Sequence, residues 1–203
     1  MDDEKYIIQK LIDGNQRFIN GTTTNNQSKN IEKRLELINY QKPYAIILCC
    51  SDSRVPAEFI FDVDLGDLFV IRIAGNIVAP SIVGSIEYAI TKFQVKIIIV
   101  MGHTNCGAVI ATVEKCLNNS LSNNSNSIKD IVDRIYPSIV EIVKSDELKM
   151  DSKILMSVRT NIHASVNQLK HASRILENKC LNNDLLIFGA LYNLENGLVD
   201  FFF

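Results

Sequence analysis

Tyr44-Ala45-Ile46-Ile47-Leu48-Cys49, running directly into Cys50-Ser51-Asp52-Ser53-Arg54, is the stretch on which the fold turns. A second stretch repeats the arrangement. Lys96-Ile97-Ile98-Ile99-Val100-Met101 precedes Gly102-His103-Thr104-Asn105-Cys106-Gly107. Both apolar runs are short and rich in β-branched residues, which reads as strands buried on both faces of a parallel sheet. In such sheets the functional groups sit at the carboxyl ends of the strands. Two thiols, an imidazole and a carboxylate fall there, and together they suggest one metal site.

The spacing supports that reading. Residues i, i+2 and i+4 of an extended chain face one way, so Cys50, Asp52 and Arg54 can project together. His103 ends a strand, and Cys106 follows at a helix start, where the helix dipole favours the thiolate that binds metal. Two Cys, one His and one further position suit tetrahedral zinc. Cys49 points to the opposite face and reads as core.

Working outward, strands alternate with helices. Residues 3 to 20 carry an apolar stripe of Ile7, Leu11 and Phe18, with Ile12 and Ile19 beside it. A polar loop over residues 21 to 28 and a helix over about 30 to 40 lead to the first strand. Pro56 can open a short helix at its first turn. Leu68 to Ile73 reads as a second strand, broken by Ala74-Gly75-Asn76. Helices are expected over 80 to 93, from the second motif to about Leu117, over 128 to 144 and over about 152 to 178. The polar run Asn118 to Ser127 reads as a surface loop. Asp184 to Gly189 is a fourth strand, and after a turn Leu198 to Phe203 returns antiparallel. The expected fold class is α/β. A mostly parallel central sheet, four parallel strands plus a C-terminal antiparallel strand, is flanked by helices. The expected division is one domain over 1–203, with an N-terminal helical arm (1–40) and an α/β core (41–203).

At this point the motifs carry a resemblance. Cys50-Ser51-Asp52-Ser53-Arg54 and His103-Thr104-Asn105-Cys106-Gly107 resemble the two signature motifs of the β-class carbonic anhydrases. Arg72-Ile73-Ala74-Gly75-Asn76 and Gly84-Ser85-Ile86-Glu87-Tyr88-Ala89 follow in the family's order. The resemblance implies one zinc per subunit and reversible hydration of carbon dioxide to bicarbonate and a proton by zinc-bound hydroxide. It implies Cys50, His103 and Cys106 as ligands, with Asp52 either on the metal or paired with Arg54. Gln41, Phe69 and Tyr88 match positions that line the substrate pocket in the plant-type branch. A dimer or multiple of dimers is implied, with the N-terminal helix reaching across to the partner and the active sites near the interface. One branch of the family also binds bicarbonate in a regulatory pocket built on a Trp three residues before the first zinc Cys, with an Arg and a Tyr. Here that position is Ile47, the chain has no Trp, and Arg72 alone of the Trp and Arg is kept.

Two rival functions stay open at the level of sequence. One is hydrolysis of carbon disulfide or carbonyl sulfide on the same scaffold. The other is a non-catalytic zinc protein used for binding or assembly.

Composition narrows the classes. The 203 residues carry a net charge of −2 and no long basic run, which argues against nucleic acid as a partner. No run approaches the ~20 apolar residues of a membrane span. Met1-Asp2-Asp3-Glu4-Lys5 is acidic, unlike a signal peptide. Five Cys, an odd number, fit a reduced, cytoplasmic setting better than a disulfide framework. His163 and His171 read as surface residues without acidic or thiol partners.

Overall fold

The computed structural model describes residues 2–24, 27–118 and 125–203. Five strands form one sheet: β1 (Ala45–Cys49), β2 (Leu68–Arg72), β3 (Ile97–His103), β4 (Leu186–Tyr192) and β5 (Val199–Phe202). Their order is β2-β1-β3-β4-β5; the first four are parallel and β5 pairs antiparallel to β4. The expected sheet is therefore the observed one.

β1 lies between β2 and β3, with Ile46 opposite Phe69 on one side and Ile98 on the other. The chain leaves β1 in one direction and, after β2, returns past it to β3. That reversal opens a crevice outside the carboxyl ends of β1 and β3. Cys49 is level with Met101, so Cys50 and His103 emerge side by side at the crevice.

Alternate residues of the strands bury into two cores. Ile46, Leu48, Ile98, Val100 and Ile187 enter one. Ala45, Ile47, Cys49, Ile99 and Phe188 enter the other. Both faces are covered, which is why the strands read as continuous apolar runs. The first core is closed by α4 (Pro80–Phe93), α5 (Gly107–Asn118), α6 (Asn126–Lys144), α7 (Met150–Lys170) and α8 (Arg174–Leu181). The second is closed by α1 (Asp2–Ile19) and α3 (Ala57–Ile60), through Leu11, Ala57 and Ile60. A further helix, α2 (Gln27–Glu36), precedes β1.

Helix α1 packs on its own chain's sheet. Buried Asn15 donates to Ile60 O at 3.2 Å and Gly197 O at 2.8 Å, and accepts from Val199 N at 2.9 Å.

Several boundaries differ from the sequence reading. The helix expected over 152 to 178 is two, because Ser173 caps a new one by accepting from Leu176 N at 3.3 Å. Pro56 stands at the N-cap of α3 rather than inside it. β4 runs to Tyr192, three residues past the expected end at Gly189, and takes part of the expected turn. The polar loop expected before α6 lies mostly outside the described residues; its last two, Asn126 and Ser127, are helical. No helix among the described residues is long and apolar enough to cross a membrane.

α7 seats closely on the sheet. A Cβ at Gly102 or Gly189 would sit 2.7 Å from Ile162, so only glycine at these two positions leaves room for that side chain.

Candidate metal centre

Cys50 leaves β1 and is 5% exposed; Cys106 precedes α5 and is 1% exposed. Their sulfurs stand 3.9 Å apart. That is far beyond an S–S bond of ~2.0 Å. It matches the ~3.8 Å expected of two sulfurs each ~2.3 Å from one tetrahedral zinc. His103, fully buried at the end of β3, completes the group: the ligand atoms of Cys50, His103 and Cys106 all lie within 4.8 Å of one another.

The imidazole is set for coordination. His103 Nδ1 lies 2.9 Å from Thr104 O, a bond it makes as donor. The proton is thereby placed on Nδ1, and Nε2 is buried with no hydrogen-bond partner. A buried nitrogen lone pair costs free energy unless something takes it, and a metal ion does so. A soft, two-sulfur, one-nitrogen donor set suits zinc. The residues present therefore fit the ion.

Backbone N–H groups surround the sulfurs. Val109 and Ala108, at the start of α5, donate to Cys106 and favour its thiolate. Gly75 N donates to Cys50 Sγ at 3.4 Å. Between themselves the two thiols share charge: the bond from Cys106 pulls Cys50 below the ordinary thiol range and pushes Cys106 above it. Cys49, on the other face, is pushed up to about 12 by burial and takes no part.

Asp52 and Arg54 form a two-pronged pair. Arg54 Nε donates to Asp52 Oδ1 at 2.9 Å and Nη2 to Oδ2 at 2.7 Å; Arg54 N adds a third bond at 2.9 Å. These bonds hold the Asp52 carboxyl well below the usual carboxylate range. Asp52 Oδ2 lies 3.8 Å from His103 Nε2, beside the donor triangle yet turned to Arg54. Of the two arrangements open at the level of sequence, the hydrogen bonds in this structure are those of the pair. Arg72 fixes the loop beneath, donating to Cys50 O at 3.1 Å and Asp52 O at 2.5 Å.

Gln41, Phe69 and Tyr88 form a second group. Phe69 packs against Tyr88, ring centroids 6.5 Å apart, and against Phe93 at 6.1 Å. Gln41 and Tyr88 line one cavity of about 790 Å³. Within a single chain this group does not meet the metal residues. Phe69 is level with Ile46, four residues before Cys50. Four residues of strand span ~13 Å. A separate cavity of about 570 Å³ borders Arg54, Thr104 and Asn105.

Sequence reasoning missed the Gly75 N–H, the Thr104 carbonyl and the side chain of Asn161, which donates to Gly75 O at 2.8 Å. The first two are backbone groups with no sequence signal. Asn161 is a mid-helix polar residue, and the signal that could have found it is its spacing, three residues after Val158 and eight before Leu169 on the apolar face of α7. His171 also has a partner that was not expected: its Nδ1 lies 3.1 Å from Glu177 Oε1. His163 stacks on Phe202 at 5.2 Å.

Comparison with known proteins agrees with the geometry. The family model described as carbonic anhydrase matches residues 45–199. Carbonic anhydrase 2 of Mycobacterium tuberculosis is 36% identical over 187 residues, covering 92% of this chain and 87% of that protein. The carbonic anhydrase of Mycolicibacterium smegmatis is 37% identical over 190 residues, covering 94% and 89%. The solved structure of the β-carbonic anhydrase CcaA superposes with a TM-score of 0.76 at 28% identity, covering 96% of this chain and 98% of that one. With the motifs, the sheet and the Cys-His-Cys triangle in agreement, the chain belongs to the β class of the carbonic anhydrase family.

Proposed function

We propose that the chain hydrates carbon dioxide reversibly to bicarbonate and a proton, with Cys50, His103 and Cys106 holding one zinc ion and the Asp52–Arg54 pair serving the reaction. The observation that carries this is the buried donor triangle with an ionised carboxylate held beside it. When bound, zinc supplies the Lewis acidity that makes a water nucleophilic near neutral pH.

The chain's own residues do the rest. Arg54 keeps Asp52 ionised and holds its carboxylate on the guanidinium. Asp52 is then an acceptor at the mouth of the triangle. It takes a hydrogen bond from the attacking water and aims a lone pair outward. Arg72 holds the Cys50 and Asp52 carbonyls, so both side chains keep their directions. Two thiolates cancel the charge of a divalent ion, which makes a well-placed acceptor more necessary than at a three-His site.

Gln41, Phe69 and Tyr88 offer an amide and an apolar wall, suited to a small uncharged substrate. Because they lie away from their own chain's triangle, they serve the reaction from a second copy in a homodimer or a multiple of dimers. Residues 1–40 and 41–203 act as one unit in this reading, since α1 is bonded to the core through Asn15. Five unpaired thiols suit a reducing compartment, and we place the protein in the cytoplasm.

Stopped-flow hydration of carbon dioxide by the zinc-loaded protein is the test. The parent chain should be active, and Cys106→Ala should lose both zinc and activity. A Cys106→Ala chain with full zinc content would refute the ligand set.

A further inference from the structure

Cys106 and Cys50 are supported by different devices. The sulfur of Cys106 faces the first N–H groups of α5, which the helix itself holds in place. Cys50 has no helix. Besides the Asp52 N–H of its own loop, the N–H that faces it, at 3.4 Å, belongs to Gly75 in the single turn Ala74–Asn76 that follows β2.

The turn has one bond of its own, from Asn76 N to Ile73 O at 3.0 Å, and is buried against α5 and α6. Gly75 has φ +67°, a region other residues enter at a cost. A Cβ there would stand 2.7 Å from Ile135 Cδ1 and 3.1 Å from Ala108 Cβ, so the position must stay glycine. The Gly75 N–H lies in the peptide before its Cα and the Gly75 carbonyl in the peptide after it, so the N–H stays on the sulfur only if both peptides are held about the glycine. The hold on the carbonyl side comes from α7. Asn161, 3% exposed, donates from Nδ2 to Gly75 O at 2.8 Å. Ile162, the next residue, packs over Gly102 and Gly189, so the Asn161 backbone is itself anchored to the sheet.

We propose that Asn161 is a positioning residue for the metal centre: its amide clamps Gly75 so that the Gly75 N–H donates to the Cys50 sulfur. This rests on the zinc reading above. A hydrogen bond to a ligating sulfur draws charge away from it and orients its lone pairs. Groups of this kind, one step removed from the ion, typically govern metal affinity by about tenfold or more. Cys106 then receives N–H support from a helix start, and Cys50 from Asp52 and from a glycine held by an asparagine.

The test uses the full chain loaded with zinc and, separately, with cadmium-113. In the parent, the Gly75 amide proton should lie downfield and couple through the hydrogen bond to cadmium. Asn161→Leu keeps the bulk and removes the donor. It should move that signal upfield, abolish the coupling, and lower zinc affinity in chelator competition by about tenfold. Asn161→Ser, which leaves room for a water on the Gly75 carbonyl, repeats the measurement if the Leu chain does not fold. A folded variant that keeps the parent's Gly75 signal and zinc affinity overturns the proposal, whatever its thermal stability. A parent chain that holds no zinc sinks the metal reading itself; a parent that holds zinc, with variants that match it, sinks only the role of Asn161.

Discussion

Arg54 decides where Asp52 points. In Arg54→Ala the two side-chain bonds at 2.9 and 2.7 Å vanish, and Asp52 is free to turn toward His103 Nε2, 3.8 Å away. Zinc content should stay at about one per chain. Hydration should fall by about 100-fold, the order expected when a preorganised electrostatic contact is lost. Zinc analysis and stopped-flow kinetics check both, and parent-like turnover would refute the role. The same bonds set a pH window. The folded pKa of Asp52 lies below its unfolded value, so the pair's contribution is complete above about pH 4 and fades only as pH falls toward the folded pKa. A loss of activity between pH 5 and 8 therefore does not come from Asp52. Nor should it come from bicarbonate held at Arg72. Ile47 is fully buried and has no side-chain donor, while Arg72 already spends donors on the carbonyls of Cys50 and Asp52. The acid limb of the pH–rate profile should follow one ionisation, with or without added bicarbonate. A steep, multi-proton loss that bicarbonate deepens would contradict this.

Among the elements, α1 is held by few but costly bonds. Asn15 satisfies two carbonyls and one N–H from α3 and the β5 hairpin, all inside the fold. Asn15→Ala leaves those groups unpaired, at a cost of about 3 kcal/mol. Thermal unfolding should show a Tm lower by about 6 to 12 °C; a shift under 2 °C would mean the helix is held by packing alone. How far the elements could be read from sequence follows from what each one needs. β1 and β3 were legible because burial on both faces demands unbroken β-branched runs. α4 was legible because Pro80 opens it and Gln94, at φ +56°, closes it just past the apolar spacing. The break at 171–173 was not, because it depends on which way the Ser173 hydroxyl turns. The extension of β4 to Tyr192 was not either, because pairing with β3 and β5 fixes it, and pairing is a long-range property.

At the scale of the whole molecule, the metal ligands were legible because three residues of two scarce types fall at or just past the ends of two strands, and the relation of Gln41, Phe69 and Tyr88 to them was not. A sequence gives positions along a chain, and the separation of these two groups depends on register, with Phe69 level with Ile46 rather than with Cys50. The same geometry argues for a second copy. β2 is an edge strand carrying half-buried Phe69, and Tyr88 beside it is 54% exposed. Proteins cover such edges. A two-fold dimer would do so and would carry each chain's aromatic group toward the other's metal triangle. Complementation between two crippled chains tests this. One carries Cys106→Ala and keeps Gln41 and Tyr88; the other keeps its metal ligands and carries Gln41→Ala with Tyr88→Ala. Each alone should hydrate carbon dioxide poorly. If the groups act across the interface, a one-to-one mixture refolded together forms half hybrids, each with one complete site, and regains about a quarter of the parent activity. If Gln41 and Tyr88 serve their own chain, no hybrid has a complete site. The mixture then shows no more than the mean of the two chains, and that result would overturn the shared-site dimer.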